Sequence, residues 1–362
     1  MSEPRCRWFV PGPVWVRPEI LEEMTRPMIG HRSGEFRELF GEILRDLKTL
    51  FGTEQHVFVA TCSGTGMMEG ALLNTVPRSV LVTTQGAFSE RWMAIAEHTG
   101  VECDHILHEW GEAIDPGRLH NYFSGRRHHY DAVTITHNET STGVMNDLGT
   151  LARVVRDESS DTLILVDAVS SLGCAPIRFD EWGLDVCFAS TQKGIGLPPG
   201  LTVFAVSERA MERARHQQYR GTYFDFLEYQ KHAANGATPF TPSIPHLYAL
   251  RRQLDQMIRE EGLEARYQRH VQMRDRTAEV LDGVAEPAVS GEIRSVSVTA
   301  LRPRSGSPTE WLAAMRDRGY TLGSGYGLWK ESTFRIGHMG DVSLEELDAM
   351  LSSLREVADS AR

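Results

Sequence analysis

The sequence predicts an α/β protein in which a mostly parallel, open sheet is flanked by helices and is followed by a smaller α+β domain. Between about residues 56 and 205, short apolar runs alternate with helical patterns, as they do in successive βαβ units. The run TLILVDA (162–168) is continuously apolar, which is expected of a strand that is buried on both faces of a parallel sheet. After Pro239 the pattern changes to longer helices that alternate with a few strands.

The elements of the first part follow from local patterns. Several prolines prevent segment 1–30 from forming one long helix, and we expect it to wrap over the core before a helix at about 34–50. Apolar runs then predict the strands HVFVAT (56–61), SVLVTT (79–84), DAVTITH (131–137), TLILVDA (162–168), VCFAS (186–190) and LTVFAV (201–206). The intervening segments predict helices at 66–73, 89–97 and 148–156.

The last third of the chain has a different organisation. Its patterns predict a long helical stretch at 245–284, strands at 293–301 and 333–339, and helices at 308–318 and 343–357. Ser343 is the expected cap of the final helix, because Glu346 follows three residues later and completes a capping box. We therefore expect an N-terminal arm (1–30), a large α/β domain (31–245), and an interdomain helix with a small α+β domain (246–362).

Composition excludes several classes of function. The 362 residues include 38 Lys and Arg against 49 Asp and Glu, a net charge of −11, whereas a nucleic-acid-binding protein needs a basic face. The densest basic cluster, Arg126–His129, is short and is interpreted as a solvated loop. No apolar run approaches the roughly 20 residues that span a bilayer, and the N-terminus does not resemble a secretory signal. We expect a cytoplasmic protein that binds neither nucleic acid nor membrane.

The cysteines give no sign of a disulfide framework or a metal site. Their number is odd, their spacing is wide, and no C-x-x-C pair occurs, which is typical of a reduced protein. They are Cys6, Cys62, Cys103, Cys174 and Cys187. We therefore predict no metal ligands in this chain.

Polar residues follow two of the predicted strands at the edge where ligands bind to α/β sheets. The small residues Ser63, Gly64 and Thr65 come between a strand and a helix, where free N–H groups and the helix dipole favour a phosphate. A tight turn with a helix cap is the alternative. Asp167 closes a very apolar strand and needs a cationic or N–H partner. Satisfaction by neighbouring backbone N–H groups is the alternative for this carboxylate.

Two basic residues complete the set. Lys193 stands between a strand end and a turn rich in glycine and proline, where partial burial would lower its pKa and make it a nucleophile or a base. An exposed loop lysine is the alternative. Arg335 lies in the apolar strand TFRIGHM and suits a carboxylate, either of a substrate or of an internal salt bridge. A phosphate cradle, a carboxylate, a lysine and an arginine are together what pyridoxal 5′-phosphate and an amino-acid substrate require.

The chain resembles a known family in several of these segments. The segments VDAVSSLG (166–173), STQKGIGLPPG (190–200) and HNETSTGV (137–144) are similar to those of class V aminotransferases of pyridoxal-phosphate fold type I. Within that family the similarity is to the alanine–glyoxylate and serine–pyruvate/glyoxylate branch. It runs from PGP (11–13) to FRIGHMG (334–340). It implies a homodimeric transaminase whose substrates are a small amino acid and a 2-oxo acid.

The resemblance also implies a role for individual residues. Lys193 would be the Schiff-base lysine, Asp167 the partner of the ring nitrogen, and Arg335 the ligand of the substrate carboxylate, assisted by the backbone near Gly12. The remaining cofactor positions are Ser63, Gly64, Thr65 and Gln192 at the phosphate, Phe88 stacked on the ring, Val169 beneath it, Thr140 near the ring oxygen, and Thr241 reaching the phosphate across the dimer. This chain departs from some relatives, which have Trp at position 88 and Tyr at position 238, where this chain has Thr238.

Alternatives remain at the level of function. The adjacent residues His31 and Arg32 resemble a His-Arg pair of phosphoserine aminotransferases, which helps to hold the substrate phosphate there. The other interpretation of the pair is a helix cap or a contact between subunits. A cysteine desulfurase is disfavoured because no cysteine follows Cys187. A nicotinamide-dependent oxidoreductase would use the turn at 63–66 for pyrophosphate. The glycine spacing of that turn does not match G-x-G-x-x-G.

Overall fold

The computed structural model of the protein describes residues 7–125 and 129–361. Cys6 and three members of the basic cluster, Arg126, Arg127 and His128, lie outside the described residues. The strands are β1 (Trp8–Phe9), β2 (His56–Ala60), β3 (Ser79–Thr84), β4 (Glu102–Leu107), β5 (Ala132–Thr136), β6 (Asn138–Glu139), β7 (Val144–Met145), β8 (Leu163–Asp167), β9 (Val186–Ser190), β10 (Thr202–Val206), β11 (Ala285–Pro287), β12 (Val298–Pro303), β13 (Thr321–Ser324) and β14 (Phe334–Gly337).

The helices alternate with the strands in the first half and dominate the second. They are α1 (Pro18–Glu23), α2 (Gly34–Phe51), α3 (Gly64–Thr75), α4 (Ala87–Thr99), α5 (Pro116–Ser124), α6 (Leu148–Glu158), α7 (Glu208–His216), α8 (Phe226–Ala233), α9 (Ile244–Asp255), α10 (Leu263–Leu281), α11 (Pro308–Asp317) and α12 (Leu344–Ser360). None of these helices in the described part of the chain is long and apolar enough to cross a membrane.

The main sheet has seven strands in the order β2-β10-β9-β8-β5-β3-β4. Neighbouring strands are parallel except at β10, which runs antiparallel to both β2 and β9. Ile164 and Val166 of β8 belong to one apolar core with α2, α6 and α9, whereas Leu163 and Leu165 belong to another with α3, α4 and α7. The predicted α/β class, with a mostly parallel sheet covered on both faces, is therefore confirmed.

A second sheet lies in the C-terminal part, in the order β1-β13-β14-β12-β11. Its core is shared with α10, α11 and α12. The N-terminal strand β1 pairs in parallel with β13, so the arm is built into this sheet before the chain enters the main one. The partition into segments 1–30, 31–245 and 246–362 stays a prediction.

The differences from the sequence-based expectations are local. The long helical stretch at 245–284 is interrupted at Gly262, whose φ of +82° lies in the left-handed region that favours glycine. The strand expected at 293–301 begins only at Val298. The edge strand β4 was not predicted, because its sequence ECDHIL has no regular alternation of apolar and polar residues. The antiparallel direction of β10 was not predicted either.

Candidate active site

A cavity of about 250 Å³ opens at the ends of β2, β8 and β9, where the chain leaves the main sheet. It collects residues from five separate stretches of the sequence. The lining residues are Gly12, Pro13, Ser63, Gly64, Thr65, Met68, Phe88, Arg91, Asp167, Val169, Ser190, Gln192, Lys193 and Pro199. Most of the residues predicted from the sequence to surround a cofactor are therefore brought together.

The N-terminal end of α3 lines this cavity through Gly64, Thr65 and Met68. Ser63 is the N-cap residue, but its hydroxyl does not cap the helix, and Gly66 and Met67 donate only to the Ser63 carbonyl. A Cβ at Gly64 would stand 2.7 Å from Cγ2 of Val169, so this helix end can approach the sheet only with glycine there. The end of α3 thus offers N–H donors and a positive dipole to an anion.

Asp167 ends β8 and is 5% exposed. Its Oδ1 accepts a hydrogen bond of 2.8 Å from the Val169 N–H, the backbone contact that the sequence left open as an alternative. Burial, with a smaller contribution from the negative charge of Glu139, raises the pKa of this carboxyl to about 7, although the hydrogen bond from Val169 acts in the opposite direction. A cation beside Asp167 would stabilise its ionised form.

Lys193 is held in place rather than exposed on a loop. Its ammonium donates to the Pro11 carbonyl, and the preceding Gln192 carbonyl accepts from the Val14 N–H at 3.0 Å. Burial, with the positive charge of Arg335 as the next largest effect, lowers the pKa of Lys193 to about 8. The structure therefore contains a restrained amine that titrates near neutral pH, as a nucleophile or proton carrier requires.

Arg335 on β14 is 8% exposed. Its Nε donates to the Ser324 carbonyl at 2.8 Å and its Nη1 to the Thr140 carbonyl at 3.0 Å, while Cζ lies 5.3 Å from the ring centre of Tyr326. No carboxylate within ion-pair distance is present in the described segments, so the internal salt bridge considered above is not found there. Burial lowers the pKa of Arg335 to about 10, which indicates that an anionic partner would stabilise this cation.

Arg335 and the remaining predicted site residues are not among those that line the cavity. The hydroxyl of Thr140 donates to Oγ of Ser170 at 2.7 Å, so in this structure it contacts the neighbouring strand end. Thr241, His31 and Arg32 line a second cavity of about 640 Å³, which also contains Arg37 and His232. These three residues are close to one another but do not contribute to the wall around Lys193.

Among the residues around the site that sequence reasoning missed, three have charged or aromatic side chains. Arg91 lines the cavity, and its Nη1 donates to Oγ1 of Thr65 at 2.9 Å. The Glu139 carboxylate accepts from the backbone N–H groups at the start of α4, including that of Ser89 at 2.8 Å. Tyr326 stacks on Phe88 with ring centres 5.4 Å apart. A signal existed only for Arg91, which follows Phe88 at the i+3 spacing of one helix face.

Comparisons with known proteins agree with this geometry. The family described as Aminotransferase class-V matches residues 20–327. The chain is 35% identical over 352 residues to a serine–glyoxylate aminotransferase from Methylorubrum extorquens, covering 94% of this chain and 87% of that protein. It is also 35% identical over 354 residues to a protein named soluble hydrogenase, small subunit, from Synechococcus sp., covering 96% and 92%. The structure of an alanine–glyoxylate aminotransferase from Nostoc sp. matches with a TM-score of 0.91 at 29% identity, covering 99% and 96%.

Proposed function

Since the chain belongs to the class-V aminotransferase family and is a pyridoxal-phosphate-dependent transaminase, we propose that it moves an amino group from a small amino acid of the alanine, serine or glycine type to a 2-oxo acid such as glyoxylate or pyruvate. The observation that carries this proposal is Arg335, a buried guanidinium with no carboxylate partner in the described chain, whose charge acts on the Lys193 amine. A substrate that carries both a carboxylate and an amino group would satisfy Arg335 and present its nitrogen near Lys193.

The residues of the cavity fit the chemistry of the cofactor. Its phosphate suits the uncapped N-terminus of α3, with Ser63, Gly64, Thr65 and Gln192 as the proposed contacts. Its ring nitrogen suits the Asp167 carboxylate, which has one backbone hydrogen bond and gains from a cation. Its aldehyde suits the amine of Lys193. Phe88 and Val169 are the proposed walls on either side of the ring, and Thr140 is the residue proposed to lie near the ring oxygen. When bound, the cofactor supplies an electron sink.

Three residues of this chain would have separate roles in the reaction. Lys193 would take the proton from the α-carbon of the donor and return it later, which requires an amine that is partly neutral at working pH. Asp167 would hold a proton on the ring nitrogen by opposite charge. Arg335, with the backbone near Gly12, would fix the α-carboxylate so that the α-carbon faces the lysine. Together these positions support a reaction on α-amino and 2-oxo acids.

We further propose that the protein works as a cytoplasmic homodimer. Thr241 would reach the phosphate bound by the other subunit, since in one subunit it lines the separate basic cavity and not the wall around Lys193. His31 and Arg32 line that same cavity and would face the outer end of the partner's substrate. Thr238 also lines this cavity, and its hydroxyl donates a hydrogen bond to the Phe240 carbonyl.

A panel of donors against acceptors tests the proposal directly. Purified holoenzyme would be assayed with alanine, serine, glycine, aspartate and phosphoserine against glyoxylate, pyruvate and 2-oxoglutarate. We expect the highest kcat/KM for a small uncharged donor with glyoxylate or pyruvate. A higher kcat/KM for phosphoserine with 2-oxoglutarate would overturn the proposal in favour of a phosphoserine aminotransferase, which the His31-Arg32 pair left open.

A further inference from the structure

Arg91 lines the cavity, and the function proposed above gives it no role. It belongs to the first turns of α4, and its Nη1 donates to Oγ1 of Thr65 at 2.9 Å. Its guanidinium carbon lies 4.9 Å from the ring centre of Phe88. In the described part of the chain no carboxylate lies within ion-pair distance of this guanidinium. Arg91 is therefore positioned by a hydroxyl and an aromatic ring, neither of which neutralises it.

The positive charge of Arg91 changes the pKa values of two other residues of the site. It is one of the causes that lower the pKa of Lys193, and it opposes the rise in the pKa of Asp167. Among the described residues that line the cavity, Arg91, Asp167 and Lys193 carry charges, and the nearby Glu139 is engaged by backbone N–H groups. Arg91 brings its positive charge to the end that holds Ser63, Gly64 and Thr65, because its guanidinium contacts Thr65.

We propose that Arg91 binds the phosphate group of the cofactor, a step that rests on the proposed function. A phosphate monoester carries a charge of about −1.5 to −2 near neutral pH, whereas a helix N-terminus offers only about half a positive charge. A guanidinium supplies a full charge and a planar fork that matches phosphate oxygens. Because Thr65 accepts a hydrogen bond from Arg91, its own hydroxyl proton is free to be donated to a phosphate oxygen.

A purely structural role would give a different result. If Arg91 served only to hold Phe88 and Thr65, its loss would weaken binding of the whole ring system, with or without a phosphate. Pyridoxal lacks the phosphate and otherwise presents the same ring and aldehyde. The two ligands therefore separate recognition of phosphate from support of the aromatic wall.

The experiment uses apoprotein and equilibrium binding, read from the absorbance of the bound ligand, so that it does not depend on turnover. Arg91→Gln should weaken binding of pyridoxal 5′-phosphate about tenfold or more, about 1.4 kcal/mol, and change the Kd of pyridoxal less than about twofold. Arg91→Lys should recover part of the loss. Inorganic phosphate should compete with the cofactor in the wild type and compete less well in Arg91→Gln. Arg45→Gln, at an exposed position on α2, is the matched control and should change neither Kd.

Each outcome separates the two proposals. Equal losses for both ligands, or no loss for either, would overturn the assignment of Arg91 while leaving the transaminase proposal intact. Failure of the wild-type apoprotein to bind pyridoxal 5′-phosphate would instead overturn the proposed placement of the cofactor in this cavity. Circular dichroism and Tm of each variant would establish that the fold is retained.

Discussion

The backbone of Gly12 lies directly against the side chain of Lys193. A Cβ built on Gly12 would stand 2.5 Å from Cδ and 2.6 Å from Nζ of the lysine, and Gly12 has a φ of +106° that side chains rarely adopt. The neighbouring Pro11 carbonyl accepts a hydrogen bond from the same ammonium. The N-terminal arm thus forms one wall of the candidate active site, although it is far from Lys193 in the sequence.

Gly12→Ala should displace the lysine without unfolding the protein. The added methyl group overlaps the Lys193 side chain and strains the backbone, so we expect kcat to fall at least about tenfold, equal to about 1.4 kcal/mol of barrier. Gly30→Ala is the matched control on the same arm, because a Cβ there meets nothing closer than 3.9 Å. Steady-state kinetics of both variants checks the prediction. Equal activity of the two would show that the contact has no catalytic consequence.

The pH dependence of cofactor capture should reflect the lowered pKa of Lys193. The pKa is about 8 instead of 10.5, so about a tenth of this amine is neutral at pH 7, against roughly three in ten thousand for an ordinary lysine. Only the neutral amine attacks an aldehyde. The rate at which apoprotein captures pyridoxal 5′-phosphate should therefore rise with pH, with its inflection near pH 8 and a plateau above it. Stopped-flow absorbance measures this rate.

The same profile tests the influence of Arg335. Removing a positive charge near Lys193 favours the protonated amine, so Arg335→Gln should shift the inflection to higher pH. A profile in the wild type that rises uninterrupted to about pH 10.5 would contradict the lowered pKa. An inflection that is identical in Arg335→Gln would mean that the charge of Arg335 does not contribute to the shift.

Asp167→Asn should have opposite effects on stability and on catalysis. In the apoprotein the pKa of Asp167 is raised to about 7 from 3.8, so the folded state holds its proton more tightly than the unfolded state between these values. Stability should consequently fall as the pH rises through this window, and the full cost should be present above pH 7. Asn carries no charge. The variant apoprotein should therefore have a higher Tm than the wild type at pH 8 and a smaller advantage at pH 4.

In the holoenzyme the same substitution should reduce turnover strongly, because no carboxylate remains to keep the ring nitrogen protonated. Asp161→Asn, at an exposed carboxylate just before β8, serves as the control in both measurements and should change neither. If Asp167→Asn lowers kcat less than about tenfold, about 1.4 kcal/mol, the residue has a structural role only.

Arg335→Lys should raise KM for amino and oxo acids alike while the cofactor absorbance stays unchanged. The Ser324 and Thr140 carbonyls engage one N–H of Nε and one of Nη1, which leaves the remaining N–H groups of Nη1 and Nη2 for a carboxylate. Lysine keeps the charge but has no such fork, and we expect KM to rise about tenfold or more, about 1.4 kcal/mol. Amines without a carboxylate should be poor substrates that the change hardly affects. Normal kinetics in the variant would move the carboxylate site elsewhere, with Arg32 as the next candidate.

The association state has a simple test. Light scattering of the holoenzyme should give about twice the chain mass of 40.6 kDa. Thr241→Val should preserve that mass but weaken cofactor binding, because its hydroxyl would reach the phosphate of the other subunit. An active species of one chain mass would contradict both statements.

Much of the fold and half of the site could be predicted from local patterns. The run that ends at Asp167 is apolar because both faces of β8 are buried, and the cap at Ser343 satisfies N–H groups of its own helix. The turn at Lys193 follows β9 directly, so its place at the edge of the sheet follows from the strand. These features depend on neighbours within a few residues, so they could be predicted from the local sequence.

Other features follow from contacts between distant parts of the chain. Lys193 meets Pro11 across 182 positions and Arg335 meets Thr140 across 195, and no periodicity or capping rule relates residues so far apart. The direction of β10 and the absence of a carboxylate beside Arg91 in the described chain likewise depend on which surfaces pack together. Local sequence determines the conformation of each segment because its hydrogen bonds are local, whereas charge neutralisation, burial and close approach at the site depend on the packing of the whole chain.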